Sequence, residues 1–379
     1  MALIVEIIIG LLILMLLVVA HEFGHAIIAR RNGVVVEEFG VGFPPSFWSK
    51  KLKNGILLTL NWLPLGGFVK MRGEYDAASK KGDYGAATFL GKTKILLAGV
   101  VVNWLVAIVL LTGLAVVGLP KVIPNQVTIP SDTTVITKPV EISVIMKNYP
   151  ADKAGLKTGD KVVRLAGQLT PTISRLTELT KKYKGQNVMI VYDRNGTEYS
   201  QQVDLRNSND GNYLGVGLNQ SELIKATWSA PIVGVASTVQ FTWLTIQGIG
   251  DLFSNLVSGL VMQFSSNTSV RQQASSDLTS ASNSVSGPIG ILGMIFPAAV
   301  KAGPTQLVFL TAIVSISLAV MNILPIPALD GGRWFVMTFY KISKKKLTKE
   351  REEKIQTIGF SILMGLVLLV TFADVSKLF

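Results

Sequence analysis

The 379-residue chain has no cysteine and only two histidines. Without cysteine there are no disulfides, no thiolate catalysis and no zinc sites built on cysteine. Both histidines, His21 and His25, fall in one short stretch, VVAHEFGHAIIA. Any further side-chain ligand for a metal held by this pair must therefore be a carboxylate.

Charge is scarce in the apolar runs and unevenly spread elsewhere. The net charge of +12 is the kind of excess that nucleic-acid-binding proteins show. However, Lys and Arg concentrate in two polar stretches, residues 30–94 and 333–354. The positive-inside rule places both stretches on the cytoplasmic side and the long middle stretch outside. The charge excess thus indicates topology and contact with the anionic lipid bilayer, and we predict no nucleic-acid partner.

Apolar residues lie in four blocks, at about 4–29, 94–118, 305–328 and 355–373. A helix needs roughly 20 apolar residues to cross a hydrocarbon core, so the blocks predict about four transmembrane helices. The first block resembles a signal peptide in position only. No basic residue precedes it, and Glu6 stands where positive charge is expected, so we predict that it is retained as a helix.

Two segments between the blocks differ from membrane helices. Residues 33–71 are rich in β-branched and aromatic residues and contain Gly and Pro, which predicts hairpins lying against or dipping into the membrane. A small hairpin on the membrane surface is the simpler alternative. Residues 135–205, with YPADKAGLKTGDKVVRLAGQ, resemble a bacterial-type PDZ domain, a fold that takes peptide ends at a sheet edge. A PDZ-like fold without peptide binding remains open.

Residues 223–262 are apolar but carry polar side chains at spacings that leave one polar side. We predict helices lying in the membrane interface, because a further crossing would place the second basic stretch outside. The Ser-rich tract 264–286 that follows is predicted to be a loop.

HEFGH matches the pattern H-E-x-x-H. On a helix His21 and His25 are one turn apart and face one metal, while Glu22 is placed to accept a proton from water. Zinc lowers the pKa of bound water toward about 7, which suits hydrolysis at neutral pH. His21 precedes Arg30 by about 14 Å at a rise of 1.5 Å per residue, which places the site inside the bilayer toward its cytoplasmic half. A satisfied pair of interhelical histidines is the alternative.

A catalytic zinc site usually has three protein ligands and one open position. Asp330 stands out as the third ligand because Pro325 and Pro327 break the helix before it, and such breaks occur where protein or a water-filled cavity satisfies the backbone. A helix-end aspartate at the membrane surface is the alternative. The acidic residues in or beside apolar segments are few: Glu6, Asp251, Asp330 and Asp374.

The motifs HEFGH, PLGGFVKM, SGPIGI and NILPIPALDGG, together with a PDZ-like insert, resemble the site-2 protease family of bacterial intramembrane zinc metalloproteases. The resemblance spans nearly the whole chain. It implies zinc ligands at His21, His25 and Asp330, and a catalytic glutamate at Glu22.

The same resemblance implies two substrate-binding elements. Asn322 contacts substrate, and the segment with Gly66, Gly67 and Phe68 holds an unwound substrate strand. The segment AGVVVN lacks the proline common in the family, which leaves the role of Asn103 open.

The predicted fold is a polytopic α-helical membrane protein with about four transmembrane helices, a membrane-associated β-hairpin region and an inserted extracytoplasmic α+β PDZ-like domain. The predicted parts are an N-terminal membrane part, the PDZ-like domain, interfacial helices with a polar loop, and a C-terminal membrane part. The N-terminal membrane part covers 1–120 and the PDZ-like domain 135–205. The interfacial helices and polar loop cover 206–290, and the C-terminal membrane part covers 291–379.

The predicted function is intramembrane zinc endopeptidase activity in the bacterial inner membrane. By the resemblance, its partners are membrane proteins with a transmembrane segment, either anti-sigma factors or remnant signal peptides, and a peptide or substrate end at the PDZ-like domain. A non-catalytic membrane PDZ scaffold or chaperone and a zinc transporter are the alternatives. The intact HEFGH and Asp330 argue against the scaffold, and the single ligand set argues against transport.

Overall fold

The computed structural model describes residues 2–208, 211–265, 267–284 and 287–376. The chain separates into two compact units. The membrane unit combines the two ends of the chain, Met1–Leu114 and Pro231–Phe379, and the inserted unit is Ala115–Ala230. The helices are α1 (Ala2–Arg31), α2 (Phe89–Val117), α3 (Pro150–Lys153), α4 (Ile173–Lys182), α5 (Ala230–Met262), α6 (Thr268–Ser284), α7 (Pro288–Gly290), α8 (Phe296–Ala302), α9 (Pro304–Ile323), α10 (Asp330–Ile342) and α11 (Lys349–Ser376), with a π-helical turn over Ile291–Ile295.

The helix inventory includes several apolar helices that could span a membrane, as predicted. Within the described ranges, five helices are long and apolar enough to cross a membrane: Ala2–Arg31, Phe89–Val117, Ala230–Met262, Pro304–Ile323 and Lys349–Phe372. Four of these five overlap the predicted apolar blocks.

The remaining helix, α5 (Ala230–Met262), covers the segment that was predicted to form helices lying in the membrane interface. It is instead one continuous helix of 33 residues. Proline occurs in it only at Pro231, in the first turn, so nothing interrupts its hydrogen-bond ladder. Length and composition do not decide whether α5 crosses the membrane, so the count of four spans stays a prediction.

The prediction of a loop over the polar tract 264–286 is wrong for most of its length, because Thr268–Ser284 forms α6. The tract has no glycine or proline to break a helix. Asn267 caps the helix, since its Oδ1 accepts a hydrogen bond of 3.0 Å from the Ser269 backbone N–H. Ser hydroxyls also bond back to carbonyls one turn earlier, as in Ser275 Oγ to Arg271 O at 3.1 Å. Ser286, the last residue of the predicted loop, lies outside the described residues.

The β-rich region consists of two long strands that bend and pair twice. The strands are β1 (Val36–Lys51) and β2 (Leu57–Met71). Leu60 of β2 lies opposite both Trp48 and Val41 of β1, and Val41 also lies opposite Gly67. The second half of β2 therefore pairs only with the first half of β1 among the described contacts, and forms an edge of this sheet. Several aromatic side chains of the region are exposed: Phe43, Phe47, Trp48 and Trp62.

The β1–β2 sheet, α1, α2 and α10 share one buried core. Its members come from all four elements and the turns between them, which fixes the sheet against the helices that carry the candidate site. They are Ala29, Val34, Val36, Ile56, Tyr84, Ile95, Leu96 and Met337.

The inserted unit is an antiparallel α+β fold. Its strands are β3 (Leu119–Lys121), β4 (Thr134–Thr137), β5 (Val140–Ile145), β6 (Lys161–Leu165), β7 (Gln168–Leu169), β8 (Asn187–Arg194), β9 (Thr197–Asp204), β10 (Val216–Asn219) and β11 (Glu222–Lys225). The main sheet has the order β10-β5-β6-β8-β9, with β7 paired to β6, and β3-β11-β4 form a second sheet. Helix α4 buries Leu176 and Leu179 against the main sheet's core, as its three-residue apolar spacing predicts.

The inserted unit is wider than the predicted 135–205. Strand β10 completes the main sheet beside β5, and β11 pairs with both β3 and β4. Short strands far apart in sequence give no local signal of their pairing, so the boundaries come from tertiary contacts. The α+β class of the insert is confirmed, and its PDZ-like identity stays a prediction.

Candidate metal centre

Helix α2 packs closely against the histidine face of α1. His25 Nδ1 lies 2.7 Å from the Ile95 carbonyl oxygen, to which it donates when protonated. One turn further along α2, Gly99 leaves room for the other imidazole. A Cβ added there would lie 2.4 Å from His21 Cε1, closer than side chains pack. The missing side chain at Gly99 therefore lets the His21 ring lie between α1 and α2.

Asp330 reaches the histidines because the chain breaks and turns back. Helix α9 ends at Ile323, and α10 begins at Asp330 itself. Between them, prolines remove backbone donors, and Ala328 adopts a left-handed conformation with φ 80°. The Gln356 side chain of α11 accepts a hydrogen bond of 2.6 Å from the Ala328 backbone N–H, which stabilises the turn.

The two glycines after Asp330 allow the first turn of α10 to pack directly against the backbone of the segment between α9 and α10. A Cβ on Gly331 would lie 2.2 Å from the Ile323 carbonyl oxygen, and one on Gly332 would lie 2.0 Å from that of Ile326. No larger residue fits at either position without moving the backbone. The sequence LDGG thus folds back as the predicted third ligand requires.

The structure brings the three predicted ligand residues together. Asp330 Oδ2 lies 3.1 Å from His21 Nε2 and 3.2 Å from His25 Nε2, and the two Nε2 atoms are 3.2 Å apart. The imidazoles are 8% and 7% exposed, and the Asp330 side chain is 23% exposed.

This triangle fits zinc. Ligand atoms at about 2.0–2.1 Å from a tetrahedral zinc are about 3.3 Å from one another, close to the separations seen here. Two imidazoles and one carboxylate also form a ligand set that catalytic zinc sites use. In the described part of the chain, this is the group of His, Asp and Glu side chains whose atoms converge closely enough to hold a metal.

Two of the other acidic candidates, Glu6 and Asp374, make different contacts. Glu6 pairs with Lys301 at 3.5 Å, near the other end of α1. Asp374, near the end of α11, accepts a hydrogen bond of 2.8 Å from the Gly290 backbone N–H. It thereby caps the helix that follows Gly287, which gives the motif SGPIGI a structural role over its described residues.

Glu22 lies beside the edge of the sheet. The Val69 backbone N–H lies near its carboxylate. A Cβ on Gly67 would lie 3.4 Å from Glu22 Cγ, in ordinary van der Waals contact. The edge strand and the predicted catalytic carboxylate therefore meet directly.

The predicted substrate-binding residues fall in two places. Gly66 adopts a φ of 82°, and Gly67 and Phe68 follow it on the edge half of β2, next to Glu22. The Asn322 amide donates a hydrogen bond of 3.0 Å to the Leu318 carbonyl within α9. Their roles toward substrate stay predictions.

A polar network behind Asp330 was not predicted. Arg333, one turn after Asp330, donates to Glu352 Oε1 at 3.2 Å and to the backbone carbonyl of Glu74. Glu352 also accepts a hydrogen bond of 2.8 Å from the Asp76 backbone N–H, and Lys92 pairs with Asp76. The network ties α10 to α11, α2 and the turn after β2. Charged residues at the ends of apolar segments were its only signal in the sequence.

A triangle of two buried imidazoles and one partly buried carboxylate, in a chain with several membrane-length apolar helices, is typical of a membrane metallohydrolase. The chain belongs to Peptidase family M50, whose model matches residues 9–366. A provisionally named zinc metalloprotease of Clostridium perfringens is 30% identical over 370 residues, covering 97% of this chain and 98% of the relative. Zinc metalloprotease RasP of Shouchella clausii is 26% identical over 444 residues, covering 96% and 97%.

A solved structure also aligns with part of the chain. The PDZ domain of an SdrC-like protein from Listeria monocytogenes covers 21% of this chain and 86% of its own, with 18% identity and a TM-score of 0.20. That score is too low to support a fold assignment. The family match confirms the resemblance to the site-2 proteases and the predicted enzyme class, an intramembrane zinc metalloprotease.

Proposed function

We propose that His21, His25 and Asp330 hold the catalytic zinc, that Glu22 is the general base, and that the enzyme cleaves peptide bonds within transmembrane segments of other proteins. The observation that carries the proposal is the triangle of ligand atoms, with sides of 3.1 to 3.2 Å, whose two imidazoles lie on α1, a helix apolar enough to span a membrane. Ionisable side chains buried within a membrane cost free energy unless a partner such as a metal ion satisfies them.

The proposed chemistry is hydrolysis. A zinc ion held by the triangle supplies Lewis-acid catalysis toward water and the peptide carbonyl. Glu22 accepts a proton from the attacking water and returns it to the leaving amine nitrogen, so the carboxylate is restored after each turnover. The edge half of β2 packs against the Glu22 side chain, since a Cβ on Gly67 would lie 3.4 Å from Glu22 Cγ.

The edge half of β2 is proposed to hold the substrate. A transmembrane helix hides its carbonyl groups in internal hydrogen bonds, so it must unwind before hydrolysis. A sheet edge offers hydrogen bonds to an extended segment, and the strand with Gly66, Gly67 and Phe68 is the edge that touches Glu22. Asn322 is proposed as a further substrate contact from α9.

The proposed location is the bacterial inner membrane, with the inserted unit outside the cytoplasm. The proposed substrates are membrane-anchored anti-sigma factors or remnant signal peptides. The inserted unit is proposed to take a peptide or substrate end, as PDZ domains do. Its sheet has strands at both edges, β9 and β10, among the described elements.

Metal removal tests the proposed reaction. The purified protein in liposomes, incubated with a single-span substrate, is expected to give two fragments whose new ends map inside the substrate's span. A zinc chelator should stop cleavage, and added zinc should restore it, because the chemistry depends on the ion. Mass spectrometry of the fragments locates the cut. Cleavage confined to soluble segments of the substrate would contradict intramembrane proteolysis, and zinc binding without cleavage of any tested span would favour the scaffold.

Excision of the inserted unit tests its role in substrate selection. The Ala226 backbone N–H donates to the Ala115 carbonyl at 2.7 Å, so a short linker can replace residues 116–225. If the unit filters substrates, the excised enzyme should cleave a trimmed substrate at its former rate and should also accept an untrimmed one. Fragment yields for both substrates measure the effect. An equal loss on both would show that the unit is structural.

Reporter fusions test the proposed topology. Fusions within 135–205 should report an outside location, and fusions near Lys81 or Lys345 an inside location, by the positive-inside rule. A fusion in α6 decides whether α5 crosses: it should report outside if α5 lies in the interface. A cytoplasmic location for 135–205 would overturn the proposed orientation.

A further inference from the structure

The His21 imidazole needs a hydrogen-bond acceptor on its far side. If Nε2 is a metal ligand, the ring's proton lies on Nδ1, and a metal-bound imidazole normally donates that proton to a nearby oxygen. The polar group found there is the side-chain amide of Asn103 on α2, with Nδ2 3.3 Å from His21 Nδ1. Asn103 is fully buried, so water does not take its place.

The amide orientation decides what Asn103 does to His21. With Nδ2 toward the ring, Asn103 donates to an unprotonated Nδ1, which moves the ring proton to Nε2 and removes that atom as a ligand. With the amide turned by 180°, Oδ1 takes the same place and accepts the proton of Nδ1. Within the described residues, Asn103 Oδ1 has no hydrogen-bond partner where it now lies, so turning the amide breaks no hydrogen bond of that oxygen.

We propose that Asn103 is the positioning residue for His21. Its Oδ1 accepts the Nδ1 proton, and the hydrogen bond fixes the imidazole in the tautomer and orientation that present Nε2 to the metal. This inference rests on the proposed function, because it requires His21 to be a ligand. The two histidines then differ: His25 is oriented by the Ile95 backbone carbonyl at 2.7 Å, whereas His21 depends on a side chain.

Neighbouring contacts hold Asn103 in place. Ser315 of α9, which is fully buried, donates a hydrogen bond of 2.8 Å from its Oγ to the Asn103 carbonyl. Gly99 lies one turn before Asn103 and leaves the space that the His21 ring fills. Ile95, Gly99 and Asn103 are thus four residues apart along one face of α2, and this face meets both histidines.

Zinc affinity of the full-length protein tests the proposal by competition with a chelator. Asn103→Leu keeps a similar volume without an acceptor and should weaken zinc binding about 10- to 100-fold, the usual effect of losing such a partner. Asn103→Ala should weaken it comparably. Asn103→Asp restores an acceptor and should recover most of the affinity. Ser317→Ala is the matched control, because it removes a hydrogen bond of 3.0 Å within α9, from Ser317 Oγ to the Ile313 carbonyl, that involves neither Asn103 nor His21, and should bind zinc as the unchanged protein does.

Each variant's melting temperature without zinc separates lost folding from lost affinity. If Asn103→Asp fails to fold because it buries a charge, the comparison of Asn103→Ala with Ser317→Ala decides. Unchanged zinc affinity in both Asn103→Leu and Asn103→Ala would overturn the inference and leave the ligand set intact. Unchanged affinity in His21→Ala would instead overturn the proposed ligand set.

Discussion

Glu22→Gln is expected to abolish most proteolysis while leaving zinc in place. Glutamine has nearly the shape of glutamate and keeps one acceptor oxygen, so its side chain can take the same place beside the edge of β2. It cannot accept the proton that hydrolysis releases from water. Loss of general-base catalysis lowers turnover by at least about 100-fold.

Two measurements on the same purified protein check this prediction. The rate of fragment formation from a single-span substrate gives turnover, and mass spectrometry gives the zinc content. Glu37→Gln is the matched control, because Glu37 is an exposed glutamate on β1. Cleavage by Glu22→Gln at the wild-type rate, with zinc present, would reject Glu22 as the base.

Asp330→Asn is expected to lower both zinc affinity and proteolysis. It replaces an anionic oxygen ligand, 3.1 to 3.2 Å from the two imidazole nitrogens, by a neutral amide. Loss of a partner that only orients a ligand weakens metal binding about 10- to 100-fold, so loss of a ligand should weaken it by at least about 100-fold. Activity should fall with zinc occupancy and recover only in part at high zinc concentration.

Two acidic residues of the same membrane unit provide controls for Asp330→Asn. Asp374→Asn keeps a side chain that can cap the helix beginning after Gly287. Glu6→Gln alters a single pair with Lys301, whose side chain is 66% exposed. Both variants should keep zinc and activity. Full zinc and activity in Asp330→Asn, with loss of both in one control, would show that the coordination is different.

The sequence was sufficient where chemistry is local. HEFGH needs only a helix to place His21 and His25 on one face, and long apolar runs need only length to predict spans. Asp330 could be selected because the chain has no cysteine or third histidine and few acidic residues near apolar segments. The family motifs then matched in order along the chain.

Sequence reasoning failed where the outcome depends on weak or distant signals. The Ser-rich tract has poor helix propensity, yet α6 forms there, and Ser258 Oγ of α5 lies 3.1 Å from Asp277 Oδ2 of α6. The width of the inserted unit depends on β10 and β11, which are four residues each. Strands that short are defined by their partners.

The sequence by itself determined the ligand types, their spacing on α1 and the membrane setting, because helix periodicity and hydrophobicity are properties of neighbouring residues. Only the tertiary structure decided that Asp330 meets both imidazoles, that the edge of β2 touches Glu22, and that Asn103 lies against His21. Each of these pairs joins segments at least 45 residues apart, from Glu22 and Gly67 to His21 and Asp330. Their contacts depend on glycines that let backbones approach and on a proline break that turns the chain back, and neither effect can be measured without the packed neighbours.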